Sequence, residues 1–307
     1  MNCFDFRAVN IAVLRFILTG DFHFLMPCLG LMNCSSSNPC PFCSRVRSKV
    51  GGVAKWQEGE VEPRTLSSLH TNYAGWVLEG EVQTTAQTRR WKSVTSPFLV
   101  EGEGDTWDMK VLDKVVPGSL HLFLAANDLI NHLEKDSWKD VKQVLKDLFG
   151  VEAHSYQGKE RNFQGPEIRR VLAGIHKLFP LMRTDPIRKL YLDVMVLMKK
   201  VAHEVFSLDL HPKWKETLEE LKSSLITLNS FTSFPMTPKF HIIMEHIGEW
   251  VEKRGRSLGR ESEQPGESLH HLWKRLLEGQ GEVKDKNSDA FLAQVLWCLV
   301  KFNSDNV

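Results

Sequence analysis

A chain of 307 residues, 42% of them hydrophobic and 25% charged, has the composition of an ordinary globular protein with room for one large core or two smaller ones. Its formal charge of +1 excludes a general positive field for nucleic acid, so phosphate contacts must come from local groups such as Arg45/Arg47/Lys49, Arg89/Arg90/Lys92 or Lys253/Arg254/Arg256/Arg260. Six cysteines (3, 28, 34, 40, 43 and 298) are too sparse and uneven for a disulfide scaffold, which points to a reducing, intracellular compartment.

In chain order, residues 9–19 read as a continuous apolar strand ended by Gly20-Asp21, and Phe22 to Met32 as a short helix disturbed by Pro27. Asp5, Arg7 and Arg15 interrupt the apolar start, so neither a membrane span nor a signal peptide is expected there. Met1 stands only a few residues before that strand, so an incomplete domain edge is expected. Asn33 to Pro41 carries turn chemistry, and 45–118 is irregular with short helical pieces. From Ser119 onward the pattern is helical, with helices expected over Ser119–Glu134, Trp138–Phe149, Pro166–Phe179, Pro186–Phe206, Pro212–Leu228, 238–254, Pro265–Leu277 and Ser288–Phe302. Several open on proline, which is tolerated in the first turn because its missing N–H has no partner there.

Three groups could carry chemistry. Asp21, at the C-terminal edge of a buried strand, stands where α/β folds present catalytic carboxylates, although an Asp after Gly equally fits a turn or helix cap. Cys40-Pro-Phe-Cys43 has the spacing of two thiolates on one metal, and His241 and His246 would complete a tetrahedral S2N2 set suited to zinc. Five residues apart, the two histidines lie about 140° from each other on a regular helix, so sharing a metal requires a helix end or a distortion. A reduced cysteine pair and two separate helical histidines is the plain alternative. Lastly, Glu263 and Glu267 flank Pro265, and an acidic residue in a first helical turn also suits the helix dipole with no catalytic role.

Taken in order, these groups resemble the catalytic core of the V(D)J recombinase catalytic subunits and the related Transib-type DDE transposases. Asp21 precedes Cys40 by nineteen residues, the step between that family's second catalytic Asp and its CxxC. Arg64-Thr-Leu-Ser-Ser-Leu-His-Thr-Asn-Tyr-Ala-Gly-Trp is similar to the stretch after the zinc cysteines, and Val116-Pro-Gly-Ser-Leu-His121 to the segment that opens the helical insertion. His241…His246, followed by Ser-Leu-Gly…Ser-Glu…Glu-Ser, matches the zinc histidines and the glutamate block. Between about 125 and 235 only helicity is shared.

The resemblance implies an α+β, predominantly helical chain: a partial RNase H-like fold lacking its first strands, with a large helical insertion and a split zinc site. The expected segments are 1–43 (second Asp and zinc cysteines), 44–237 (insertion) and 238–307 (zinc histidines and Glu). It also implies structural Zn²⁺ on Cys40, Cys43, His241 and His246, and catalytic Mg²⁺ or Mn²⁺ on Asp21 and Glu267. Glu263 is the alternative: the Ser-Leu-His after Glu267 matches the context of the family's catalytic Glu, whereas counting forward from His246 without a gap puts Glu263 on an upstream glutamate of the family and leaves Glu267 one residue late. Such chemistry uses two metal ions on three carboxylates. The first Asp would lie upstream of Met1, so the expectation is a truncated, inactive DNA-nicking and strand-transfer domain. The alternative is a domesticated, non-catalytic module that binds DNA or protein. DNA partners, a homodimer and a nuclear location follow from the resemblance alone, and no membrane association is expected.

Overall fold

The computed structural model describes residues 18–19, 22–50, 53–98, 108–155 and 162–261, all within one unit spanning Met1–Ser262. Strand β1 (Leu18–Thr19) is the described end of the expected 9–19 strand, and helix α1 (Phe22–Cys28) follows it. The helix stops before Met32: Gly30 takes a φ of 67°, and Leu31 leaves the helix to form an antiparallel bridge with Val94.

The region 45–118 is more ordered than its sequence suggests. Strands β2 (Arg47–Val50) and β3 (Val53–Trp56) pair antiparallel, from Arg47 opposite Trp56 to Val50 opposite Val53. Helix α2 (Leu66–Leu78) then opens on a capping box, in which Thr65 accepts from the Ser68 N–H and the Ser68 hydroxyl accepts from the Thr65 N–H. Helix α3 (Thr85–Arg90) and the short α4 (Val111–Lys114) lead into strand β4 (Val115–Val116), which pairs in parallel with β1.

The expected helix over Ser119–Glu134 is two, α5 (Ser119–Phe123) and α6 (Ala125–Asp136), separated at Leu124. Helix α7 (Val141–Phe149) ends on Gly150 at φ 61°, a left-handed cap that Gly adopts without strain. Helix α8 (Gly165–Ala173) gives way to a 3₁₀ turn over Ile175–Leu178 and then α9 (Phe179–Met182), where one longer helix was expected. Helices α10 (Pro186–Glu204) and α11 (Trp214–Phe231) are the long ones and pack on each other. Along α10, Tyr191, Leu192, Met195, Met198 and Val201 recur at helical spacing and are buried; Leu221, Leu225 and Leu228 of α11 meet them in the core. Helices α12 (Pro238–Glu245) and α13 (Ile247–Arg254) close the described fold, with Gly255 as a left-handed cap at φ 62°.

Among the described residues the protein is thus mostly helical, with two small two-stranded sheets. No described helix is long and apolar enough to cross a membrane. The helices expected over Pro265–Leu277 and Ser288–Phe302 lie outside the described residues.

Candidate metal centre

The turn Asn38–Ser44 is closed by a side chain, the Asn38 Nδ2 donating to Ser44 O at 2.6 Å. The Phe42 N–H points at the Cys40 Sγ at 3.4 Å, the bond that a chelating turn directs onto its first thiolate. The chain then passes through the β2–β3 hairpin and returns antiparallel: Ser44 N–H donates to Glu62 O at 3.0 Å, Arg64 N–H donates to Phe42 O at 2.9 Å, and Cys43 bridges Pro63. The returning segment 62–64 therefore pairs along the cysteine turn.

The histidines come from the other end of the described chain. His241 sits in the second turn of α12, with its N–H bonded to Thr237 O at 3.0 Å. His246 is where the helix breaks. It caps α12 by donating its N–H to Ile242 O, and its own carbonyl accepts from the Trp250 N–H of α13, both at 3.0 Å, while its backbone leaves helical values at φ −122° and ψ −29°. This is the distortion that the five-residue spacing demands. It brings the two rings to 5.2 Å between centroids, tilted by 75°.

The four side chains converge. Cys40 Sγ lies 3.3 Å from His246 Nε2, Cys43 Sγ lies 3.2 Å from His241 Nε2, and all four donor atoms fall within 4.8 Å of one another. Tetrahedral zinc with Zn–S near 2.3 Å and Zn–N near 2.0–2.1 Å calls for S···N edges of about 3.5 Å, close to the two measured, and drawing in the widest pair takes a shift of up to about 1 Å. All four residues are at most 3% exposed, which closes the site against a substrate or a fifth ligand and suits a structural metal.

The electrostatics of the set also call for a cation. Hydrogen bonds from the Cys40 thiol and the two imidazoles pull the Cys43 thiol far below its ordinary pKa, whereas burial and the neighbouring thiolate push the Cys40 thiol well up. A divalent ion supplies the charge that lets both ionise. Burial lowers the His241 pKa, holding that ring neutral, the form that ligates.

Further contacts join the same segments. Arg45 pairs with Glu245 at 3.3 Å, and the Trp56 Nε1–H donates to Met236 O at 2.8 Å. Trp56 stacks on His241 with centroids 3.8 Å apart and planes 13° from parallel, and Phe42 lies against His246 at 5.6 Å. Neither aromatic stands out in the sequence; Trp56 is signalled only by its place in a strand after Gly51-Gly52, a common hairpin dipeptide. A surface cleft of about 370 Å³, lined by Glu134, Lys142, Gln143, Lys146, Val151, Glu152 and Ala153, shares no residue with the metal set.

Asp21, Glu263 and Glu267 lie outside the described residues. The basic groups singled out in the sequence are largely tied to acids: Arg45 to Glu245, Arg90 to Glu79, Lys253 to Asp113, Arg256 to Glu261 and Arg260 to Asp209. Lys49 and Lys55 of the hairpin and Arg89 at the end of α3 are exposed. No protein-family model matches the chain, and no curated protein matches it.

Proposed function

We propose that this chain is a zinc-stapled segment of a DNA-processing protein of the DDE recombinase and transposase kind, in which the zinc is structural and the chemistry belongs to carboxylates elsewhere. The observation that carries this reading is the closed set of Cys40, Cys43, His241 and His246, whose halves stand 198 residues apart between Cys43 and His241 and meet across a helical body. A split site of this kind, with an Asp nineteen residues before its CxxC and glutamates after its histidines, is the ordered pattern of the resembled family. An RNase H-like arrangement follows from that resemblance, and the parallel pairing of β1 with β4 is compatible with it.

On this reading Asp21 and Glu267, or Glu263 in its place, belong to a carboxylate set for Mg²⁺ or Mn²⁺, ions that in this chemistry activate the attacking oxygen and stabilise the leaving one. The chain is then expected to bind DNA. Its near-neutral charge makes that binding local, through cations such as Lys49, Lys55 and Arg89.

Fluorescence anisotropy on labelled duplex DNA tests the reading. Expected is salt-sensitive binding that disappears when zinc is chelated. A folded, zinc-loaded chain that ignores duplex DNA even at low salt would overturn the DNA-processing reading and leave the zinc scaffold standing.

A further inference from the structure

We propose that Arg64 and Trp56 are positioning residues for the metal, Arg64 setting the Cys40–Cys43 turn and Trp56 setting the His241 ring; the inference rests on the zinc reading above. Trp56 ends β3 of the hairpin and Arg64 lies on the stretch that returns from it to the cysteines, so one excursion of the chain governs both halves of the ligand set.

Arg64 is 1% exposed, and its guanidinium donates to three backbone carbonyls, two of them in the chelating turn, while Nη1 is buried without a hydrogen-bond partner. Nε donates to Cys40 O at 3.0 Å, and Nη2 donates to Asn38 O at 3.1 Å and Lys92 O at 2.8 Å. Its main chain is anchored on both sides, by Phe42 O at 2.9 Å and by the Val111 N–H at 2.8 Å. A rigid planar fork on the carbonyls of Asn38 and Cys40 fixes the direction in which Cys40 presents its sulfur; a lysine at that place would reach one carbonyl and lose the fork. The third carbonyl is delivered by an unusual backbone: Lys92 and Ser93 hold φ values of 52° and 63°. In this left-handed pair the Ser93 hydroxyl also accepts from the Asn38 N–H at 3.1 Å. Three strands of chain, at 38–40, 64 and 92–93, thus converge behind the cysteines.

Trp56 does the corresponding work for a histidine. Its indole lies flat on the His241 imidazole, and its N–H is pinned to Met236 O, so the stacked ring cannot turn without clashing or breaking that bond. Residues that orient metal ligands in this way commonly affect metal affinity by about 10–100-fold.

The test uses the full chain as wild type, Arg64→Lys and Trp56→Leu, with Leu221→Ala as a control for loss of stability in the α10–α11 core. Each protein is loaded with Co²⁺ for its ligand-field spectrum, and with Zn²⁺ for competition against a chromogenic chelator. Expected are about tenfold weaker zinc retention in both positioning variants and shifted Co²⁺ bands, with both readouts unchanged in Leu221→Ala. Zinc retention and Co²⁺ bands like those of wild type in either variant overturn that residue's role. Losses that Leu221→Ala reproduces assign both residues to the fold alone. A wild type that takes up neither metal overturns the zinc reading itself, and the inference with it. Should Arg64→Lys fail to fold, the Arg64 Nε–H in zinc-loaded wild type decides: slow exchange with solvent is expected, and free exchange overturns the clamp.

Discussion

At the scale of single residues, buried titratable groups outside the metal set make the fold sensitive to pH in both directions. His132 contacts the Tyr191 hydroxyl through Nδ1 at 2.5 Å, and Tyr191 donates in turn to Asp136 at 3.3 Å. Burial lowers the His132 pKa, so the unfolded chain takes up protons first as pH falls; stability is whole above about 6.5 and declines below it. Burial and the Asp136 charge raise the Tyr191 pKa, so its share is whole below about 10 and is lost at more alkaline pH. Urea unfolding at pH 5.5 and 7.5 is expected to give lower stability at the acid end and a shallower acid slope in His132→Gln. An unchanged slope would remove His132 from the explanation. The Cys40-x-x-Cys43 spacing was readable in the sequence, whereas joining His241 and His246 to it rested also on the family resemblance. Arg64 and Trp56 were not readable, since their roles depend on where a hairpin returns and no local pattern records that.

At the scale of elements, periodicity and capping explain most of the helices, and their exact ends came from local backbone chemistry. Asp185 caps α10, its carboxylate accepting from the Ile187 and Arg188 N–H groups at 2.9 and 3.0 Å, and Pro186 follows at a position that needs no donor. Asp185→Ala is expected to cost about 1 kcal/mol in denaturant unfolding. Gly75 of α2 packs on the Trp91 ring, where a methyl would stand 2.2 Å from the nearest ring atom. Ala helps an exposed helix by about 1 kcal/mol, but overpacking costs about 1–3, so Gly75→Ala is expected to destabilise by up to about 2 kcal/mol. A variant as stable as wild type would mean that Trp91 gives way freely. The reading of 45–118 as irregular missed the hairpin and the length of α2, because β2 and β3 have four residues each and little alternation to detect. Over 238–254 one helix was expected, and the structure instead has two, α12 and α13, parted at His246; a shared metal on histidines five apart requires a distortion of this kind.

At the scale of the molecule, the metal set is the one place, among the described residues, where the N-terminal part of the chain and helix α12 with its break at His246 bring donor atoms together. Arg45–Glu245 and Trp56–Met236 support the same junction, but a part-exposed ion pair and one hydrogen bond are worth far less than a coordinated ion. Removing the metal is therefore expected to loosen the junction before the α10–α11 core melts. The helical body itself was legible as a class of structure from its periodicity, whereas the pairing of β1 with β4 was not, being two residues long on each side and about a hundred residues apart.

Zinc content of the purified chain, wild type beside Cys43→Ser and His246→Ala, tests this junction most directly, with a thermal melt of each. Expected is one zinc per wild-type chain, lost in both variants together with about 10 °C or more of thermal stability. A well-folded wild type without zinc, or variants that keep both metal and melting temperature, would contradict the claim that one metal ion joins the two ends of the fold.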